Sequence, residues 1–278
     1  KDGCPHHLAL YFVVRGFSLV HDPEGSHYVC EVEEVKILIY HKTVRLAENF
    51  YCYVWAGRGN NCNASLLCHV LRGERPHVLV DPGHIKDELG ETCFDSLTKA
   101  MEKDGFKVED VGLVIGTHSH PDHFEAVEPV VERSGALMTL SLEEDEFYGN
   151  RGKHFYNMVG SKAPQAKPFF YLKEGDLSLG AKNKLAIKVL LTPGHTPGSI
   201  SLYLEEEKIL ISGDVVFAGS IGRTDFPGGS PSLLRKSIDK LSQLDVEYLV
   251  PGHSTEPGSI IAGKEKVARN FHLVKMFI

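Results

Sequence analysis

Four apolar runs in this chain empty directly into a histidine or an aspartate: GLVIGTHSHPDH (112–123), KLAIKVLLTPGH (184–195), KILISGD (208–214) and EYLVPGH (247–253). Short runs rich in β-branched residues read as buried strands. Ligand-type side chains repeated at the ends of such strands demand an architecture that gathers those ends in one place, as α/β folds do at the loops beyond their strands.

The rest of the chain supplies the layers for such a fold. Strand-like runs recur at LALYFVVRGF (8–17), SHYVCEVEEVKILIY (26–40), FYCYVWAG (50–57), SLLCHVL (65–71), HVLVD (77–81), FFYLKEG (169–175) and SISLYLEE (199–206), separated by turn formers such as DPEG, GRGNN and RGERP. Between them the period changes. In LGETCFDSLTKAMEKDG, Phe94, Leu97 and Met101 recur at helical spacing and Gly105 provides the stop. EPVVERSG offers a short helix whose first turn accepts Pro129. SPSLLRKSIDKLSQL has Ser230 as N-cap, Pro231 at the first helical position, and Leu233, Leu234, Ile238 and Leu241 along one face. The tail 259–278 reads as helical. Residues 141–168 read as an irregular stretch, opened by a capping box at Ser141 and Glu144 and rich in aromatics, suited to a lid or substrate wall. Strands then helices, twice over, predict two stacked β-sheets with helices outside.

Composition narrows the partners. At 278 residues and 42% hydrophobic content the chain can bury a large core in one catalytic domain with an N-terminal extension. A net charge of −7 without a Lys/Arg tract argues against nucleic acid. The six cysteines form no CxxC pair and are too sparse for a disulfide scaffold, so they read as reduced thiols in a cytoplasmic protein. LALYFVV is too short to span a bilayer.

The densest chemistry lies in THSHPDHF (117–124). His118 and His120, two apart in extended chain, share a face, and Asp122 and His123 follow at once. Zinc favours imidazole nitrogen and carboxylate oxygen, and a catalytic ion keeps one position open for water. This cluster fills only part of two coordination spheres; His195, Asp214 and His253, at the other strand ends, complete them. The simplest allocation gives His118, His120 and His195 to one ion and Asp122, His123 and His253 to the other, with Asp214 bridging. Two divalent cations are expected, zinc foremost, with iron or manganese as alternatives. His6 and His7 beside Cys4 make a weaker cluster that reads as solvated, and His84, just after the DPG turn, reads as an ordinary histidine, with a place facing the site as the second reading.

THSHPDHF, TPGHTPGS (192–199), SGDVVF (212–217) and VPGH (250–253), in that order, resemble the metal-binding motifs of the metallo-β-lactamase superfamily, and VLVDPG (78–83) resembles its early Asp-Gly turn. The likeness spans residues 44–260. It implies the four-layer αββα sandwich, a dinuclear centre with the allocation above, and Asp81 as a group supporting the metal loops. Residues 36–278 then form the catalytic domain and 1–35 a β extension, suited to widen a sheet or to pair with another subunit in an oligomer.

The implied reaction is hydrolysis of a small-molecule thioester or ester by a metal-bridging hydroxide, with Asp122 or Asp214 taking a proton as the intermediate collapses. GSIGRTDFPGGS (219–230) is similar to the glyoxalase II-like thioesterases and the related persulfide dioxygenases; Arg223 and Asp225 in it read as an ion pair fixing the loop. The first implies cleavage of a hydroxyacylglutathione-like thioester, the second a single iron on residues matching His118, His195 and Asp214. Glyoxalase II carries a C-terminal helical domain that binds glutathione, whereas 25 residues follow His253 here; Lys264, Lys266 and Arg269 read first as a solvated face, with glutathione recognition as the second reading. Other branches fit less well. Flavodiiron reductases have glutamate at the position of His120, lactonases have tyrosine where Phe217 stands, and the interval from Asp214 to His253 cannot hold the inserted domain of β-CASP nucleases. β-Lactamases with a cysteine ligand are excluded by Asp214.

Overall fold

The β-branched, doubly buried runs fold as two sheets. The structure, a computed structural model, describes residues 38–179 and 185–277. The proposed 1–35 extension, its two strand-like runs and the His6/His7/Cys4 cluster lie outside the described residues. The first sheet holds seven strands in chain order: β1 (His41–Ala47), β2 (Phe50–Trp55), β3 (Ala64–Leu67), β4 (His77–Val80), β5 (Val111–Ile115), β6 (Leu137–Ser141) and β7 (Phe170–Leu172). β1 to β4 pair antiparallel and β4 to β7 parallel. The second sheet is built from β8 (Gly175–Leu179), β9 (Leu185–Leu191), β10 (Ile200–Leu204), β11 (Ile209–Gly213), β14 (Tyr248–Pro251) and β15 (Ile261–Ala262), in the order β15-β14-β11-β10-β9-β8. Between β11 and β14, a short hairpin of β12 (Val216–Phe217) and β13 (Ser220–Ile221) stands apart.

Alternation along the strands assigns the layers. In β4 and β5, Val78, Val80, Leu113 and Ile115 point into a core shared with Ile187, Val189, Leu202 and Ile211 of the second sheet. Leu79 and Val114 face the other way, onto Phe94, Leu97 and Met101 of α1 (Cys93–Lys103) and Val127 and Val130 of α3 (Val127–Ser134). Leu190, Tyr203, Leu210 and Leu249 turn outward from the second sheet onto α6 (Pro231–Leu241) and α7 (Lys264–Val274). The result is the αββα sandwich, and strands buried on both faces explain why these runs are apolar without interruption.

α1 ends as its Gly105 requires. The residue sits at φ +87°, and the amides of Gly105 and Phe106 bond back to Glu102 and Met101 in a Schellman motif.

Several elements differ from the sequence reading. Residues 141–168 are largely helical: α4 (Leu142–Phe147), a π-turn over 148–152 and α5 (Lys153–Val159). Gly149, Asn150 and Gly152 interrupt any helical pattern, but a wider turn carries the backbone across them. Phe147, Tyr148 and Tyr156 are core residues rather than a lid. β1 begins at His41, after the expected run; its charged face is that of an edge strand. On α6 the buried face is Leu234, Ser237, Ile238 and Leu241, with Leu233 turned to solvent. The C-terminal tail is helical only from Lys264, because β15 precedes it.

Candidate metal centre

Parallel pairing brings the chemistry together. β4 and β5 run parallel in one sheet and β11 and β14 in the other, so within each pair the C-terminal ends emerge on one side. The chain leaving β5 carries His118 and His120 and turns into the short α2 (Pro121–Phe124), which holds Asp122 and His123. His195 lies in the β9–β10 turn, Asp214 follows β11 and His253 follows β14.

All seven expected residues meet. The donor atoms of His118, His120 and His195 lie within 4.8 Å of one another, as do those of Asp122, His123 and His253, and those of His118, His123 and Asp214. His195 Nε2 is 2.8 Å from His120 Nδ1, and His123 Nε2 is 3.1 Å from His253 Nε2. Asp214 sits between the two groups, with its carboxylate 3.1 Å from His123, 3.5 Å from His195 and 3.4 Å from His253.

The outward nitrogens are tied down. His118 Nδ1 meets Thr117 Oγ1 at 3.1 Å, His123 Nδ1 meets Asp81 Oδ2 at 2.9 Å, His195 Nδ1 meets the Arg223 carbonyl at 2.7 Å, and His253 Nδ1 meets the Asn61 carbonyl at 3.1 Å. Bonds of this kind fix ring orientation and leave Nε2 as the free donor. Asp81, at φ +51°, also accepts from Thr117 N and Thr117 Oγ1 at 2.7 and 2.6 Å, so it joins the β4 and β5 ends as the resemblance implied.

The cluster fits a metal on its own terms. His118 Nε2 and Asp214 Oδ1 are buried among the described residues without a hydrogen-bond partner, which leaves both free to ligate an ion. Burial, reinforced by His195, pushes His120 down to about 3, and burial with its imidazole neighbours holds His118 well below the ordinary range. Both rings are thus the neutral species that ligation needs. Burial opposes charge on His253 too, but Asp214 and Asp122 outweigh it and push that ring up to about 10. The same contest, won by Asp214 and Asp81, holds His123 well above its usual value.

Above the donors opens a cleft of about 500 Å³ whose lining includes Asn60, Asp122, Phe155, Val159, Asp214, Phe217, Arg223 and Phe226. Phe155 and Phe226 meet edge to face, centroids 5.4 Å apart, and both flank the His120 ring. Arg223 and Asp225 form the expected ion pair, at 2.9 and 2.7 Å, and the guanidinium stacks 4.1 Å above Phe226. Two groups stay outside the cleft, in line with their plainer reading. Lys264, Lys266 and Arg269 do not line the cleft, since α7 packs on the outer face of the second sheet and Lys264 pairs with Asp245 at 2.6 Å. His84 is buried against Glu125 at 2.7 Å and does not face the site.

Two contributors escaped the sequence reading. Asn60 donates its side-chain amide to Asp122 Oδ2 at 2.7 Å, and its own amide nitrogen is held by Glu88. Its place in GRGNN signalled only a turn. Glu144, read as a capping partner, lies fully buried behind the histidines.

A sequence model of the metallo-β-lactamase superfamily matches residues 57–253, which runs from the loop before β3 to the last of the seven residues. The chain belongs to the metallo-β-lactamase superfamily. Among the relatives of this superfamily member is a protein of Bacillus subtilis described as the probable metallo-hydrolase YqgX, 37% identical over 145 residues, or 51% of this chain and 68% of that protein. Another is the hydroxyacylglutathione hydrolase GloC of Haemophilus influenzae, 31% identical over 189 residues, covering 66% and 82%. The crystal structure of TTHA1623 in a di-iron-bound form superposes with a TM-score of 0.58 at 28% identity, over 77% of this chain and 98% of that one. Among the described residues no helix is long and apolar enough to cross a membrane.

Proposed function

We propose that this superfamily member hydrolyses thioesters of the hydroxyacylglutathione class with two divalent cations, zinc foremost, in a catalytic domain of residues 36–278. His118, His120 and His195 would hold one ion, Asp122, His123 and His253 the other, and Asp214 would lie between. The observation that carries this reading is the pair of donor triads with Asp214 standing between them at the floor of a cleft of about 500 Å³. Two cations there would supply Lewis acidity, lowering the pKa of water and polarising a carbonyl. The likeness to GloC supports the thioester class.

The chain's own residues do the rest. Phe155, Val159, Phe217 and Phe226 give the cleft an apolar wall that excludes water from one side of a bound acyl group. Asp122, its carboxylate 15% exposed and steadied by Asn60, is the acid nearer the cleft mouth and, as an ionised carboxylate, the group placed to take the proton released as the intermediate collapses. Asp214, 8% exposed, is set among three imidazoles and serves as a proton acceptor only through the oxygen that faces the cleft. The test is a pair of parallel assays on metal-replete protein, with lactoylglutathione and with glutathione persulfide. Thioester cleavage that falls by about 100-fold or more in Asp122→Ala supports the reading, in the range general acid–base residues supply. Oxygen uptake with the persulfide, on a single iron and without thioester cleavage, would replace it.

A further inference from the structure

One carboxylate lies behind the three-histidine group and belongs to neither donor triad. Glu144, in the first turn of α4, is completely buried, and among the described residues no lysine or arginine pairs with it. Its two oxygens divide their work. Oε1 accepts from Ser119 N at 2.8 Å and Ser119 Oγ at 2.6 Å, and Ser119 is the residue between His118 and His120. Oε2 accepts from Thr196 Oγ1 at 2.6 Å and Gly198 N at 3.1 Å, and Thr196 follows His195. Four donors therefore surround one side chain, two from each ligand-bearing loop. Burial pushes the Glu144 carboxyl up, while those hydrogen bonds oppose the shift.

The surroundings leave the clasp no slack. Ser141 caps α4 by accepting from Glu144 N at 3.1 Å and donates its hydroxyl to the Gly198 carbonyl at 2.6 Å. A Cβ at Gly198 would fall 2.1 Å from Glu144 N, so the loop lies directly on the helix end. Tyr156 Oη donates to the Ser119 carbonyl at 3.0 Å, fixing the other loop from α5. Asp122, His123 and His253 receive nothing from this network; their supports are Asn60, Asp81 and Asn61.

We infer that Glu144 is a positioning residue that sets the geometry of one cation site, that of His118, His120 and His195, and leaves the other unaffected. The inference rests on the two-cation reading above. Supporting groups behind ligands are worth about 10–100-fold in metal affinity. Glu144→Gln keeps size and one acceptor oxygen, but its amide nitrogen only donates, so the donors of one loop lose their acceptor.

The test titrates zinc-free protein with zinc against a chromophoric chelator, and separately with cobalt(II) followed by visible absorption. Wild type is compared with Glu144→Gln and with Thr196→Val, which deletes a single donor and leaves the carboxylate in place. In a His253→Ala background, where the three-histidine site is read alone, Glu144→Gln should weaken binding by about tenfold or more. In a His118→Ala background the remaining site should change less than twofold. Thr196→Val should move the same site in the same direction by less. Equal weakening in both backgrounds, or no change in either, would overturn the inference; should Glu144→Gln fail to fold, Thr196→Val is judged by the same selectivity. Wild-type protein that takes up no ion would instead sink the two-cation reading itself, and this inference with it.

Discussion

Buried histidines in this molecule come in two kinds, and their partners separate them. In the candidate centre His118, His123, His195 and His253 each have Nδ1 fixed by a carboxylate, hydroxyl or carbonyl and Nε2 directed at a shared point, and His120 turns Nδ1 toward His195. His41 has Nδ1 on Ser96 Oγ at 2.9 Å, its ring against Trp55, and a buried Nε2 with no partner. Burial alone pushes its pKa down to about 3 from 6.5. The folded chain therefore refuses a proton that the unfolded chain accepts below pH 6.5. Stability that is whole above that pH is lost as the pH falls toward 3. By linkage the loss reaches on the order of 5 kcal/mol. His41→Asn removes the titration, so denaturant midpoints measured from pH 7 to 4 should fall less steeply in the variant than in the wild type. Parallel slopes would show that His41 is protonated freely. The seven clustered residues were legible in the sequence because each stands at the end of an apolar run. Glu144 was not, because nothing in SLEEDEF distinguishes a carboxylate that reaches two distant loops from one that merely caps its own helix.

At the level of elements, the centre depends on turns that admit no side chain. Gly194 precedes His195 at φ +140°, its amide bonds to the Thr196 carbonyl, and its carbonyl receives Ser230 N at the start of α6. An added Cβ would stand 2.3 Å from Leu234 N, a backbone atom that cannot swing aside. Gly194→Ala should therefore cost about 1–3 kcal/mol from backbone conformation alone, with the steric clash in addition. It should also displace His195, so thermal unfolding and zinc affinity should fall together; a variant that melts and binds like wild type would show that the turn yields. Sequence patterning located β5, β10, β11 and β14 because strands buried on both faces carry few polar residues, and β9 because buried Leu185, Ile187 and Val189 alternate with the more open Ala186 and Lys188. It missed β1, whose exposed edge carries Lys42, Thr43 and Arg45, and β8, where GDLSL holds two hydrophobics in five residues. It also read α4 and α5 as irregular, since glycines over 148–152 conceal a π-turn from any 3.6-residue pattern.

Across the whole molecule, the two sheets meet in one apolar core, and the candidate centre lies where their strand ends converge. His118, His120, Asp122 and His123 come from the first sheet's side, and His195, Asp214 and His253 from the second. Each proposed cation would thus be held by both halves of the sandwich, a cross-link supplied only in the folded state. Ions that bind the native chain alone stabilise it by mass action. The most direct measurement is the zinc content of zinc-saturated, exhaustively dialysed protein by elemental analysis, for wild type and for the single variants His118→Ala and His253→Ala. The account predicts about two ions per chain for the wild type and about one for each variant. A wild-type chain that retains no zinc, or two variants that retain as much as it does, would contradict the claim that these strand ends form a dinuclear centre.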